Sequence, residues 1–265
     1  MKTIASRNFH FIFLLCLLCI QQLTFGLPRG ADYYEIKIYT LADKHQEEEV
    51  DKYLKLAYLP ALHRAGISKV GVFKPVETDT AFYGRRIYVL IPFSSLDAFD
   101  QLDSKLLKDN LFQTAAAGYW EAPYNNAPYS RIESILLRAF TGAPQFQVPK
   151  LSGPGNQRIY ELRSYEGPTE KLFINKVQMF NLGDEVGLFK RLEFNAVFYG
   201  EVLSGSRMPN LMYMTSFNNM TTHDEHWKAF VDSPEWKKLS AMPEYQHNVS
   251  KINIYLLHPA DYSEI

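Results

Sequence analysis

Polar and apolar residues alternate along Tyr34-Glu35-Ile36-Lys37-Ile38-Tyr39, and again along Tyr160-Glu161-Leu162-Arg163-Ser164-Tyr165. An alternation of period two predicts a β-strand with two different faces. Tyr34, Ile36 and Ile38 share one face of the first strand, and Glu35, Lys37 and Tyr39 share the other. The second strand keeps the same order of residue types: Tyr, Glu, aliphatic, basic, any residue, Tyr. The far ends of the two stretches match as well. Ser130-Arg131-Ile132 leads to Leu136-Leu137, and Ser250-Lys251-Ile252 leads to Leu256-Leu257. Matches at both ends predict an internal repeat of a unit a little over a hundred residues long.

Between these ends the pattern changes period. Val50, Leu54, Ala57 and Ala61 form a helical stripe within residues 44–64, with Glu47 to Glu49 near its start and Gly66 as a natural stop. Pro60 is expected to kink that helix or to begin a new turn. Strands are predicted over 67–76, 86–93 and 131–140. Helices are predicted from Ser95 to about Leu102, with Ser94 and Asp97 as a capping box, and over 106–119. The second copy repeats the order. It has a strand over 158–165, then a helix from Glu170 capped by Thr169, with Phe173, Val177 and Phe180 on one face. Gly183 and Gly187 weaken the second half of that helix. Strands over 195–202 and 211–217 follow, then a helix through Val231 opened by a Thr222–Glu225 box. A further helix is opened by Ser233-Pro234, and a last strand covers 251–257. Residues 141–156 hold Gly142, Pro144, Pro149, Gly153, Pro154 and Gly155 without periodicity, which marks a linker.

The predicted fold class is therefore α+β, as two tandem ferredoxin-like β-α-β-β-α-β units over residues 31–140 and 157–259. Such a sheet carries helices on one face only. Two copies cover their bare faces by packing together or by curling into one pseudo-dimeric barrel.

The strand Tyr160–Tyr165, the segment FNAVFYGEV from Phe194 to Val202, and the segment HWKAFVDSPEWKKL from His226 to Leu239 resemble the NIPSNAP family of the dimeric α+β barrel superfamily. The resemblance runs through the second copy and more loosely through the first. There Asp109-Asn110 stand near the place of Ser233-Pro234, and no Trp follows at the matching position. The resemblance implies the fold and, if one copy alone carries a site, favours the second. It implies no reaction, because the family has no agreed catalytic residues. Its members are linked to vesicle transport and mitochondrial quality control, and its barrel relatives include cofactor-independent monooxygenases and haem enzymes.

Composition narrows the classes. The 265 residues are 46% hydrophobic and 22% charged, with 28 basic and 29 acidic side chains, so no excess charge suits nucleic acid or an anionic membrane. Lys2, Arg7, the apolar run Phe11 to Ile20, and the small residues Thr24 and Gly26 predict a signal peptide over residues 1–26. The chain is then exported, to a periplasm or the extracellular space, without a stable membrane span. Cys16 and Cys19 are the only cysteines and fall in this leader, so the mature chain is expected to hold no disulfide and no thiolate site.

Candidate chemistry rests on strand faces. Glu161, Arg163 and Tyr165 share one face, as do Glu35, Lys37 and Tyr39. If both faces look into the barrel, carboxylates, cations and phenols surround one shared cavity able to hold a small organic ligand. Asn195, Tyr199 and Glu201 fall on one strand face and could extend that pocket. The competing reading is that these charges form ion pairs with neighbouring strands. His223 and His226 stand on one helical face, and nothing fixes a third ligand, though His247 is a candidate. First-turn polar residues on a solvated helix are the commoner case, so neither a metal nor a haem on His226 is expected. No phosphate loop is present, and no cofactor is expected. Asn219 and Asn248 match the glycosylation pattern. The sequence supports a protein that binds a small molecule, with self-association left open. A cofactor-independent oxygenase or isomerase, and a scaffold, are the alternatives. A scaffold would fill the barrel with packed apolar side chains.

Overall fold

The computed structural model describes residues 30–265, and the expected leader lies outside them. Each half contributes four strands. The first half has β1 (Tyr33–Thr40), β2 (Gly71–Pro75), β3 (Arg86–Phe93) and β4 (Arg131–Ala139). The second has β5 (Ile159–Glu166), β6 (Asn195–Ser204), β7 (Asn210–Phe217) and β8 (Lys251–Pro259). All pairings are antiparallel, and the strand order β1-β3-β2-β8-β5-β7-β6-β4 closes on itself. Within each half the order is the same, fourth-first-third-second. The halves join where β2 meets β8 and where β4 meets β6. Closure leaves no open strand edge, which removes the pairing hazard of a half-sheet.

The barrel interior is filled. Tyr34, Ile36 and Ile38 of β1 meet Tyr160 and Leu162 of β5, with Tyr88, Phe73, Phe198, Met212, Met214 and Leu257 between them. Phe73 and Tyr160 lie with ring centroids 4.6 Å apart. A separate apolar layer lies outside the barrel in each half, between strands and helices. β1, β3, β5 and β7 are thus buried on both faces, which decides how their alternation must be read, while β4 and β8 keep exposed residues.

In the first half, α1 (Lys44–Tyr53) runs through a π-helical turn, Leu54–Tyr58, into α2 (Leu59–Arg64). Pro60 sits at the start of α2, where its missing N–H is tolerated, so it begins a new turn as the sequence suggests. Gly66 ends α2 at φ 89°. The next helices are α3 (Leu96–Asp100), α4 (Leu102–Leu106) and α5 (Asn110–Trp120). In the second half, α6 (Glu170–Asn181) and α7 (Glu185–Arg191) are split near Gly183. They are followed by α8 (Met220–Asp232) and α9 (Pro234–Ser240). Two cap assignments differ from expectation by local hydrogen bonding. Ser95, not Ser94, caps α3 by accepting from the Ala98 N–H. Asn219 caps α8, with Thr222 as the returning partner rather than the cap. The strand expected from residue 67 begins at Gly71, because residues 67–70 form the turn out of α2.

Candidate functional site

The expected shared cavity does not form. Glu161, Arg163 and Tyr165 face the helices of the second half, and Glu35, Lys37 and Tyr39 face those of the first. The opposite faces of β5 and β1 fill the barrel. In the closed ring β1 and β5 stand four strands apart in either direction, so the two sets cannot meet. The alternation itself is as expected. What differs is which face is interior, and the large Tyr34 and Tyr160 side chains take that place.

In the second half these residues build a buried polar layer. The Glu161 carboxylate is 1% exposed. One of its oxygens accepts from Arg163 Nε at 2.8 Å and lies 2.7 Å from Arg163 Nη2. Its other oxygen accepts from Trp227 Nε1 and lies 3.3 Å from His223 Nε2. The Arg163 guanidinium stacks 3.5 Å from the centre of the Trp227 ring and donates to Tyr165 Oη at 3.3 Å. Tyr165 and Tyr213 share a hydrogen bond of 2.9 Å. Burial would pull the His223 imidazole down, but the negative charge of Glu161 and Asp224, with the hydrogen bond to Asp224, outweighs it and holds its pKa above the ordinary value. Helix α8 is thus pinned to β5 by two side chains converging on one carboxylate.

Deeper under the helices, Lys176 Nζ donates to Glu185 Oε2 at 2.9 Å, with both side chains almost fully buried. Burial raises the Glu185 pKa, and Lys176 opposes that rise. Sequence reasoning missed this pair, although a signal was present. Lys176 lies three residues after Phe173 and four before Phe180, on the buried stripe of its own helix.

The first half holds a reduced version. Glu35 accepts from Ser134 Oγ at 2.6 Å and lies 3.8 Å from Lys37 Nζ, which donates to Tyr58 Oη at 3.2 Å. Where Glu161 and Arg163 face Thr215 and Tyr213 on the neighbouring strand, Glu35 and Lys37 face Ile91 and Val89. The polar layer is therefore richer in the second half.

Asn195 and Tyr199 do meet at a cavity, although a different one. A groove of about 460 Å³ lies between the linker, α7 and the start of β6. Gly142, Gln147, Lys150, Lys190, Asn195 and Tyr199 are among its lining residues. Its volume falls in the range of small-molecule sites. Among the described residues no Asp or Glu lines it, and neither Lys150 nor Lys190 makes an ion pair. Tyr199 is buried, its hydroxyl has no hydrogen-bond partner, and burial raises its pKa. Glu201, expected on the same strand face, instead pairs with Arg138 across the β4–β6 junction. The groove depends on the linker, which carries no periodicity, so nothing in the pattern pointed to its lysines.

His223 and His226 do not converge. His226 Nδ1 lies 2.7 Å from the Thr222 carbonyl oxygen, and His223 is held by Glu161 and Asp224. Among the described residues no group of three His, Cys, Asp or Glu side chains is arranged to hold a metal. Among them no helix is long and apolar enough to cross a membrane. The Asn219 side chain caps α8, and Asn248 is buried and donates to Asn175 Oδ1 at 3.0 Å.

Comparison with solved structures shows the fold. The chain superimposes on a candidate monooxygenase from Lactobacillus acidophilus with a TM-score of 0.55 and 13% identity, covering 86% of this chain and 94% of that one. A candidate monooxygenase from Fusobacterium nucleatum subsp. nucleatum gives 0.56 and 9%, covering 87% and 93%. An anthrone oxidase-like protein gives 0.50 and 10%, covering 87% and 92%. At such identities the likeness speaks for an α+β barrel and for nothing finer. No curated protein matches the sequence. The NIPSNAP family model matches residues 160–264, which begin in β5 and run through β8. The chain therefore carries a NIPSNAP domain, which holds the fuller polar layer and supplies one wall of the groove, the linker supplying the other.

Proposed function

We propose that this is an exported tandem protein, two ferredoxin-like units closed into one barrel, that binds a small organic ligand in the groove beneath its linker. The packed barrel interior is what the scaffold alternative expects, and it leaves the rim, at the junction of the two units, as the place for a ligand. The observation that carries the reading is the groove itself, about 460 Å³, lined by Lys150 and Lys190 and, among the described residues, by no Asp or Glu. Tyr199 lines it too, but with its hydroxyl buried. Unpaired lysines and the Gln145, Gln147 and Asn195 amides supply the few orienting polar groups such sites use.

The test is amide-resolved NMR of the mature protein with a mixture of small aromatic and aliphatic fragments. Shifts clustering at Gln147, Val186, Ala196 and Tyr199 are expected. Shifts confined to the barrel core, or none at all, overturn the reading.

A further inference from the structure

The two halves are bonded alike around this groove, which allows residue-by-residue comparison. Gly66 N–H donates to the His63 carbonyl at 2.9 Å, and Glu193 N–H to that of Lys190 at 3.1 Å. Ile67 N–H donates to Leu62 at 2.8 Å, and Phe194 N–H to Phe189 at 3.0 Å. Both Gly66 and Glu193 take positive φ. His63 and Lys190 thus hold the same place at the ends of α2 and α7.

The segments leaving β4 and β8 also run alike. Phe140 N–H donates to the Tyr199 carbonyl at 3.0 Å, and Ala260 N–H to that of Val72 at 2.8 Å. Gln147 N–H donates to Val197 at 3.0 Å, and Glu264 N–H to Val70 at 3.1 Å. The linker therefore lies over β6 as residues 260–265 lie over β2. Next along, Thr141 bonds Asn181 at 3.1 Å where Asp261 bonds Lys55 at 3.1 Å.

What fills the space beneath the two segments differs. In the first half the chain fills it with its own side chains. Tyr262 packs against the helix-side core and its hydroxyl donates to Asp51 Oδ1 at 2.6 Å. The Glu264 carboxylate meets the His63 imidazole and accepts from the Val70 N–H at 2.8 Å. Counted from Ala260 and Phe140, the counterpart of Tyr262 is Gly142, which has no ring. Matched by its backbone bond, that of Glu264 is Gln147, three residues further along than the spacing gives and without charge. Both line the groove. Lys190, in the place of His63, pairs with no carboxylate among the described residues.

We infer that the groove takes a small aromatic carboxylate. Its ring occupies the space that Tyr262 fills in the first half, and its acid sits on Lys190 as Glu264 sits on His63. Tyr199, in the place of Val72, lines the groove with its hydroxyl buried. This inference rests on the ligand-binding reading and narrows it to one chemical class.

The test compares phenylacetate with its neutral isostere phenylacetamide, by calorimetry and NMR, on the intact protein, on Lys190→Gln and on Gln147→Glu. Both substitutions fall on exposed side chains, and melting curves check the fold. Phenylacetate is expected to bind at least about tenfold more tightly than the amide, since a charge-assisted hydrogen bond exceeds a neutral one by about that much. Lys190→Gln is expected to remove this preference. Gln147→Glu is expected to supply the missing carboxylate internally and to weaken phenylacetate by a similar factor. If the amide binds as well as the acid, or both variants leave phenylacetate unchanged while the Ala196 and Tyr199 signals still shift, the carboxylate class is wrong and groove binding stands. If neither compound moves those signals, both readings fall.

Discussion

Replacing Lys176 by Met would leave Glu185 without its partner in a site where the carboxylate is 2% exposed. Breaking such a pair from one side usually costs about 3–5 kcal/mol, because a buried charge is stranded. Protonation sets a ceiling on that cost. Holding a carboxyl of ordinary pKa 4.5 neutral at pH 7 costs about 3.4 kcal/mol, at about 1.36 kcal/mol per pH unit. At pH 5 the same arithmetic leaves about 0.7 kcal/mol. The sign follows from linkage. A carboxyl whose pKa is raised in the folded state contributes its stability below the unfolded value and loses it as pH rises through the folded value. The Lys176→Met protein should therefore be about 3 kcal/mol less stable than the parent at pH 7 and within about 1 kcal/mol of it at pH 5. Urea unfolding at the two pH values, followed by tryptophan fluorescence, measures both differences. The double variant Lys176→Met with Glu185→Leu removes both charges and should recover most of the loss, or exceed the parent. A single variant that loses less than about 1 kcal/mol at pH 7, or loses equally at both pH values, would refute the picture of a desolvated pair.

The other predictions concern the layer above and the groove. His223 has a folded pKa above its ordinary 6.5, so its contribution is present below that value and fades as pH rises through the folded one. His223→Gln should therefore cost more stability at pH 6 than at pH 9, by urea unfolding, and an equal cost at both would remove its charge from the account. Trp227→Phe keeps a ring over Arg163 but leaves an oxygen of Glu161 without its indole donor. It should cost about 1–3 kcal/mol, seen as a lowered denaturation midpoint at unchanged slope. Tyr199→Phe removes a hydroxyl that has no partner. It should leave stability unchanged or raise it by up to about 1 kcal/mol, read from the urea denaturation midpoint, and a loss would mean the hydroxyl is bonded.

The strands of β1 and β5 were legible as strands because their polarity alternates, and the repeated order of residue types placed them at matching positions. Which face looked inward was not legible. In a half-exposed sheet the charged face is the outer one, and the rule fails when helices cover that face too. Glu161 survives there because Arg163, Trp227 and His223 come to it from β5 and α8, and no local pattern encodes that meeting. Asn195 and Tyr199 both line the groove, but a bulge between Ala196 and Phe198 puts Ala196, not Asn195, on the strand face of Tyr199. The groove walls come from a linker whose Gly and Pro residues announce only that no helix or strand continues there. Lys190 gains its meaning from the residue that stands opposite it in the other half, which is a property of the pair and not of either segment.

The linker and the segment after β8 each cross to a strand of the opposite half, and the barrel closes through β4–β6 and β2–β8. Covalent continuity is thus only one of the ties between the halves. A cut within residues 149–155, beyond the last linker bond to β6, would break the peptide chain yet leave every junction strand paired. What such a cut removes is effective concentration, since re-closing the barrel becomes a bimolecular event. The nicked molecule would behave as a heterodimer that dissociates on dilution. Fragments made separately would each expose two raw strand edges until they found one another. Holding both halves in one chain converts an assembly that depends on protein concentration into one that does not.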